Sequence, residues 1–507
     1  MQYNLTNPAL RRSGPSNILS FYVMFRFTVS PATSDEKLES EKDRFHVAIH
    51  PIILVAQCFA VLPVAGIRSP DSSYLKFNWK SPKIIYYVTS FVGAAILMVC
   101  SIARIWLTGI TARKTTNVVF FGAACITMLL FLRLATRWPN FIRTWEKVEN
   151  EMTAPPLPST RMYLKTRLCV IFGVTMSLAL VEHLLSILAG YSSARECASL
   201  RGDTNIVATY FQSQFPQVFD LTTYNVWKGF LVQCVNILST FSWNFMDVFL
   251  MLLSSALVER FRQMNERLYS IKGKAMPNWW WAESRQDYNR LANLTRRVDD
   301  CVSDIVLLSF ATNLYFICIQ LLNSLKPRSD IPQTIYSCFS FGFLLARTAA
   351  VSLCAAAVND QSLLPSPILY SVSAASYSTE VQRFLTQTTT DRIGLTGLNF
   401  FSVTRGLILT VAGTIVTYEL VLVQFNAMQS VDAAKVNITN AIFCCIAVYS
   451  VMLFHCTTDY GHKNLKFSQI GLRECCSAGK KSSLPCPQNF IRVIPCQCDD
   501  LCFPPIS

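Results

Sequence analysis

Long apolar runs separated by short polar segments dominate this chain. Eight such runs precede residue 426, at 47–66, 84–107, 118–136, 168–190, 231–258, 302–325, 335–358 and 398–425. A helix needs about 20 residues to cross the hydrocarbon core of a bilayer, because each residue adds about 1.5 Å. Every run is about that long, so the pattern predicts an all-α, polytopic membrane protein.

The first run is the weakest candidate for a span. It contains Pro51, Gln57 and Pro63 and ends in "LPVAG". A proline inside a helix removes a backbone hydrogen bond and clashes with the preceding turn. We therefore interpret residues 46–83 as an interfacial or re-entrant helix with a linker. Seven spans remain: four within 84–258, two within 302–358 and the last at 398–425.

The longest charged segment, residues 259–301, follows the fourth span. Its apolar residues recur at helical spacing, which predicts that the two flanking spans continue beyond the bilayer as helices and pack there. The stripe consists of Leu268, Tyr288, Leu291, Leu294 and Val298. The segment is either an assembly platform or a solvated hairpin of one subunit. A second polar segment, 359–397, predicts a short helix with Val381, Phe384 and Leu385 on one face.

Charge supports this reading. Only 15% of the residues are charged, against about 25% in soluble proteins. The net charge is +14, but most Lys and Arg lie in loops between apolar runs, which is typical of membrane-flanking charge and not of nucleic-acid binding. The inner loops of a seven-span arrangement carry more Lys and Arg when the N-terminus is inside, so residues 1–45 are predicted to be cytoplasmic.

The last run ends in "TYELVLVQF", residues 417–425. Steps of three and four place Thr410, Thr414, Thr417, Val421 and Gln424 on one narrow helical face. Such a face either packs against another helix or lines water. If copies of the helix surround an axis, Val421 forms an apolar constriction and Gln424 a ring of dipoles. Spacing alone leaves both interpretations open. Glu419 points away from this face, toward its own bundle.

The same stretch resembles the signature that closes insect gustatory receptors, and the Glu after Tyr418 is similar to their sugar-receptor branch. Further resemblance lies in "PIILVAQCFAVLPVAGI", "WNFMDVFLMLLSSAL" with "RFRQMNERL", "LLSFATNLYFICIQLLNSL" and "GLNFFSVTRGLILTVAG". The resemblance covers roughly residues 45–425.

The resemblance implies a ligand-gated, non-selective cation channel with seven spans and an intracellular N-terminus. It implies a tetramer, homomeric or formed with other gustatory receptors, joined by the intracellular helix extensions. The last helix would line the central pore, with Val421 and Gln424 at the gate beside Thr417. The expected location is the plasma membrane of a sensory neuron, and the expected partners are sugars.

A sugar site requires convergent hydrogen-bonding groups and an aromatic face within the apolar bundle. Polar residues in the outer halves of the spans meet this requirement: Glu182, His183, Trp243, Asn244, Asp247, Asn313, Tyr315 and Gln320, with Arg104 and Tyr336 as further candidates. Arg347 is a possible partner for an intramembrane acid. For each residue alone, a buried hydrogen bond between helices is an equally good explanation.

Other classes are less favoured. A heptahelical receptor acting through a G protein would have its N-terminus outside. A secondary transporter would show paired internal repeats, which the chain lacks. An enzyme is not expected, since neither a phosphate loop nor a nucleophile elbow is placed to act. No cofactor or metal site is predicted.

Residues 426–507 depart from the family pattern. They include an apolar segment, 436–455, and the Cys-rich stretches "LRECC" and "CQCDDLC". Three explanations are open: an extra module, a Cys-rich metal site, or a misassigned or alternative 3′ end. We favour the last, because the Cys spacings are weak signals for zinc.

Overall fold

A computed structural model describes residues 44–413, except for residues 70, 153–162, 202–204 and 325–330. It also describes Thr417. Within this part of the chain, six helices are long and apolar enough to cross a membrane. They overlap the second to seventh apolar runs, so the prediction of a helical, multi-pass protein is confirmed.

The described helices comprise two runs of three long helices, with short helices before, between and after them. They are α1 (Phe45–Cys58), α2 (Pro82–Thr108), α3 (Ala112–Glu151), α4 (Leu164–Arg201), α5 (Ile206–Gln214), α6 (Pro216–Phe219), α7 (Val226–Ser270), α8 (Asn278–Ser324), α9 (Ile331–Leu363), α10 (Pro365–Tyr370) and α11 (Thr379–Thr390). A hairpin of β1 (Thr396–Gly397) and β2 (Phe401–Ser402) follows, and residues 405–413 are helical again.

Local chemistry sets several helix ends. Asn205, Asn225 and Ser378 accept backbone N–H groups of the first turns of α5, α7 and α11, which satisfies donors that lack a partner inside the helix. α2 begins with Pro82, whose missing N–H costs nothing in the first turn, and is followed by Gly109 at φ +83°.

α7 is the central helix of the bundle. Its most apolar 18-residue window is 100% buried inside the protein, whereas the corresponding window of α4 is only 22% buried. A helix that is apolar on all sides needs neighbours on all sides. α7 packs against α9, α4, α8 and α3, and α1 packs mainly against α4.

α1 contains Pro51 and has 14 residues, too few to cross a bilayer. The chain then forms a compact loop. Gln57 Nε2 donates to the carbonyls of Leu62 and Val64, at 3.0 and 2.8 Å. Ala65 pairs with Lys76 in an antiparallel bridge, which sets residues 61–69 beside residues 72–80.

The charged segment 259–301 is helical on both sides of a short turn. The five residues of the predicted apolar stripe are all buried. Ion pairs fasten the two helices to each other and to their neighbours, with Arg267 Nη1 3.0 Å from Asp287 Oδ2 and Arg260 Nη2 2.7 Å from Glu149 Oε1. Arg285 hydrogen-bonds Glu380 of α11 at 3.0 Å, which holds the pKa of Glu380 below its usual range.

The start of the last predicted span is corrected by the structure. Residues 398–404 are not helical, because the hairpin occupies them and Leu398 and Asn399 take φ values of +49° and +61°. The Asp299 carboxylate accepts the backbone N–H and the hydroxyl of Thr396, at 2.6 and 2.7 Å. These contacts outweigh the helical preference of an apolar segment.

Of the three residues predicted at the gate, Thr417, Val421 and Gln424, only Thr417 falls within the described residues. It is helical and exposed, and its Oγ1 donates to the Gly413 carbonyl at 2.9 Å. Val421, Gln424, Glu419 and residues 426–507 lie outside the described residues.

The first prediction concerns Gly66. It has φ +81°, and a Cβ there would lie 2.0 Å from the Tyr74 carbonyl oxygen, so Gly66→Ala requires the backbone to move. We expect a loss of about 2–4 kcal/mol, combining the cost of the left-handed conformation with the clash. Thermal unfolding of the purified protein in detergent measures it.

Gly273 provides the matched control. It has the same φ of +81°, but a Cβ there meets nothing within 4 Å, so Gly273→Ala should cost only about 1–2 kcal/mol. Equal effects of the two substitutions would contradict the packing argument.

Candidate functional site

A buried ion pair lies between α7 and α9. Arg347 Nε is 2.9 Å from Asp247 Oδ2, and their side chains are 1% and 0% exposed. A charge in the interior of a membrane protein is costly unless it is paired. Asn244 and Asp247 lie within one turn of α7, so a single stretch of helix presents both groups to Arg347.

Neighbouring side chains satisfy the remaining polar atoms of the pair. Ser309 Oγ donates to Asp247 Oδ1 at 2.5 Å, and Asn313 Nδ2 donates to Asp247 Oδ2 at 3.0 Å. The Arg347 guanidinium donates to Asn244 Oδ1 and, at 3.4 Å, to Asn313 Oδ1. Ser309 and Asn313 are four residues apart on α8 and face the same way. The pair therefore joins three helices.

Trp243 covers this cluster. The Arg347 guanidinium carbon lies 4.1 Å from the centre of the indole ring, a distance suited to a cation–π interaction. Phe316 packs against the same ring with 5.0 Å between centres. The indole Nε1 is buried and has no hydrogen-bond partner among the described residues.

A second polar group joins α4, α8 and α9. Ser340 Oγ donates to Glu182 Oε1 at 2.5 Å, and Gln320 Nε2 donates to Ser340 Oγ at 3.2 Å. Glu182 is buried and lies within electrostatic range of Arg347. The guanidinium thus interacts with two carboxylates, so this part of the bundle carries an excess of acidic groups.

Several buried polar atoms near these clusters have no partner among the described residues. On α4 they are both ring nitrogens of His183 and Ser186 Oγ, and on α7 Asn236 Nδ2, Ser239 Oγ, Ser242 Oγ and Trp243 Nε1. The two α4 residues are three apart, and the α7 residues follow one face by steps of three and four. An unsatisfied buried polar group costs about 1–3 kcal/mol, so such groups usually bind water or a ligand.

The structure brings most of the sequence-predicted residues together. Arg347 gathers Trp243, Asn244, Asp247 and Asn313, so its predicted pairing with an intramembrane acid is confirmed. Ser340 joins Glu182 to Gln320.

Three further predicted residues are not among the contacts just described. Tyr315 is half-buried, with its hydroxyl 3.5 Å from Thr115 Oγ1. Arg104 pairs with Asp220 at 2.8 Å, and Tyr336 is buried on α9.

Ser309 and Ser340 were not predicted. A serine within an apolar run carries no distinctive signal, because its hydroxyl often bonds its own helix backbone. The four-residue spacing between Ser309 and Asn313 is the one sequence feature that would have indicated Ser309.

Known proteins match this chain over most of its length. Residues 30–434 match the family described as trehalose receptor. The "Gustatory receptor 5a for trehalose" of Drosophila melanogaster is 37% identical over 382 residues, covering 75% of this chain and 85% of that protein. The "Gustatory receptor for sugar taste 64f" of the same organism is 33% identical over 393 residues, covering 78% and 83%.

A solved structure shares the fold. The insect olfactory receptor OR5 from Machilis hrabei, in complex with eugenol, superposes with a TM-score of 0.56 and 17% identity. The match covers 74% of this chain and 97% of the olfactory receptor. The helical arrangement described above is therefore the fold of that olfactory receptor. The chain belongs to the trehalose receptor family, which is a family of receptors and not of enzymes.

Proposed function

We propose that this protein is a sugar-responsive gustatory receptor that opens a non-selective cation channel when sugar binds. The observation that carries the proposal is the set of buried, unpartnered polar atoms on facing helices of a chain whose relatives are named for trehalose and sugar taste. Sugar hydroxyls donate and accept hydrogen bonds, so they complement such atoms.

The proposed site divides the polar residues into two roles. His183 and Trp243 contact sugar directly, because their polar atoms have no protein partner among the described residues. Glu182, Asn244, Asp247, Asn313 and Gln320 already bond to protein groups and hold the frame around the site, and Tyr315 lies at its edge.

Gating follows from differential binding. Sugar shifts the population toward the open state only if it binds that state better. In the proposed tetramer, whose partners are the same chain or other gustatory receptors, the last helix of each subunit faces a central axis. Opening widens the ring of Val421 and lets cations pass Thr417 and Gln424. The exposed position of Thr417 supports this, since its side chain is not covered by other described residues of the subunit.

The proposed topology places the N-terminus inside a sensory neuron, with seven spans in its plasma membrane. Residues 1–45, 259–301 and 359–397 are then cytoplasmic, residues 46–83 lie at the inner interface, and residues 426–507 are dispensable for the channel. The antiparallel helices of 259–301 form the subunit contacts.

Current recordings test the function. Oocytes expressing the full chain, or the chain ending at residue 430, are exposed to trehalose, sucrose, glucose and fructose. A sugar-evoked cation current is expected from both forms, alone or with a second gustatory receptor. Silence of both forms toward every sugar, despite surface expression and a co-expressed partner, would reject the proposal.

The second prediction separates ligand contact from folding. His183→Leu removes buried polar atoms that have no partner, so the melting temperature should stay the same or rise. If His183 contacts sugar, the half-maximal sugar concentration should increase about tenfold, the equivalent of one hydrogen bond. Leu184→Ala, at a neighbouring side chain that is 55% exposed, is the control. An unchanged dose response of His183→Leu would remove His183 from the site.

The third prediction concerns the pore. Gln424→Ala should change unitary conductance or ion preference, because it removes the ring of amide dipoles. Leu422→Ala, on another face of the same helix, should leave both unchanged. Identical single-channel currents from Gln424→Ala and the unsubstituted protein would exclude Gln424 from the pore.

The fourth prediction tests topology against that of a G-protein-type receptor. Asn293 begins the sequence Asn-Leu-Thr on α8, and Val207→Asn would create an equivalent acceptor before Thr209 on α5. With the N-terminus inside, Asn293 and a tag at the N-terminus remain unglycosylated, while the Val207→Asn protein gains a glycan. Glycosidase digestion and gel mobility measure this, and the inverse pattern would reject the topology.

A further inference from the structure

Basic side chains converge at one end of the bundle, around α1. Because α2 and α4 are separated by one antiparallel helix, both begin on the same side of the protein. Lys83 lies in the first turn of α2 and Lys165 in the first turn of α4. Lys83 Nζ donates to Gln57 Oε1 at 2.7 Å and to the Val64 carbonyl at 3.1 Å, which holds the start of α2 against α1 and its loop. His46 Nε2 lies 3.1 Å from the Ser69 carbonyl oxygen, so the stretch that carries Arg68 is held against α1, and α1 packs on α4. Arg68 is within electrostatic range of Lys83 and of His50 on α1, and Lys165 is also within range of His50.

These charges are not neutralised by neighbouring acids. Arg68, Lys76, Lys80 and Lys165 are exposed and have no ion-pair partner among the described residues. The nearby carboxylates are engaged elsewhere. Glu146 binds Arg44 and Ser72, Asp71 binds Ser73, and Glu149 binds Arg260.

An unsatisfied atom lies within the basic group. His50 Nε2 is buried without a hydrogen-bond partner. Burial, followed by the charges of His46, Lys165 and Arg68, lowers the pKa of His50. The ring is therefore surrounded by positive charge and offers a hydrogen bond that the described residues do not use.

Aromatic side chains stand beside the lysines. Tyr74 and Trp79 are each 64% exposed, and Trp79 packs edge-on against Phe77 with 5.0 Å between ring centres. Exposed Trp and Tyr next to Lys are typical of the membrane–water interface, where the ring enters the headgroup layer. The bridge between Ala65 and Lys76 fixes this loop beside Arg68.

We propose that Arg68, Lys83, Lys165 and His50, with the loop 72–80 as its rim, bind the phosphate headgroup of an anionic lipid in the inner leaflet. The assignment to the inner leaflet rests on the proposed topology. The charge complements phosphate, and the aromatic rim fits a ligand that is itself part of a bilayer, in contrast to a soluble anion.

The test uses the full-length protein in detergent. A short-chain phosphatidylinositol bisphosphate is titrated while the melting temperature is followed, with phosphatidylcholine as the neutral lipid and inositol trisphosphate as the soluble headgroup. The anionic lipid should raise the melting temperature, and the other two should not. Stabilisation by inositol trisphosphate at the same concentration would overturn the assignment to a lipid.

Substitutions that remove charge from the basic group provide a second test. Each basic residue near a membrane surface contributes about 1 kcal/mol to anionic-lipid binding, so the double variant R68Q/K165Q should bind about 30-fold more weakly. The control, K272Q/K274Q, removes two exposed lysines from the turn between α7 and α8 and should bind normally. Equal lipid affinity of the two variants would overturn the proposal.

The acidic segment 35–43, which precedes α1 in the sequence, is the rival occupant. If it covers the basic group, R68Q/K165Q lowers the melting temperature without lipid, and the anionic lipid does not stabilise the unsubstituted protein. That combination would also overturn the proposal.

Discussion

The charge of Arg347 constrains the arrangement of α7, α8 and α9. A guanidinium at this depth is tolerable only if a carboxylate faces it, and Asp247 does so at 2.9 Å. Asn244, Ser309 and Asn313 complete the network, which fixes the rotation of all three helices. Removing one partner of such a pair strands a buried charge at a cost of about 3–5 kcal/mol. The network therefore selects one packing of the bundle from the many that apolar contacts alone would permit.

The network around Arg347 differs from its surroundings, where several buried polar atoms have no hydrogen-bond partner among the described residues. In the network around the ion pair, the Asp247 oxygens and the two terminal nitrogens of Arg347 bind other side chains. His183, Ser186 and Asn236 depart from that pattern in the same region, on the helices that surround the ion pair. Satisfied groups stabilise the protein, whereas the unsatisfied ones are the atoms that the proposed sugar site uses. The proposal therefore assigns structural and recognition roles to adjacent turns of the same helices.

Much of the fold follows from sequence because long spans are specified by their own composition. Six of the apolar runs are long helices, and the stripe through Leu268 and Tyr288 is buried as its spacing predicts. The hairpin at 396–402 was not predictable, since residues 398–404 continue into an apolar run and the contact of Thr396 with Asp299 joins residues distant in sequence. In the site, Trp243, Asn244 and Asp247 were evident from their spacing. Ser309 and Ser340 depend on which helices meet, which no local pattern records.

The hairpin before the last helix has a mechanical consequence. Asp299 of α8 binds Thr396, Asn359 of α9 donates to the Ile393 carbonyl at 2.9 Å, and Arg405 reaches Asp360 at 2.6 Å. The same α8 carries Asn313 and the same α9 carries Arg347, about 20 Å away at 1.5 Å per residue. A small sliding of one helix past the other therefore strains this single short connection. Residues 393–405 are thus tied to both helices, so a displacement of α8 relative to α9 would load this segment, whereas a displacement that the two helices share would not.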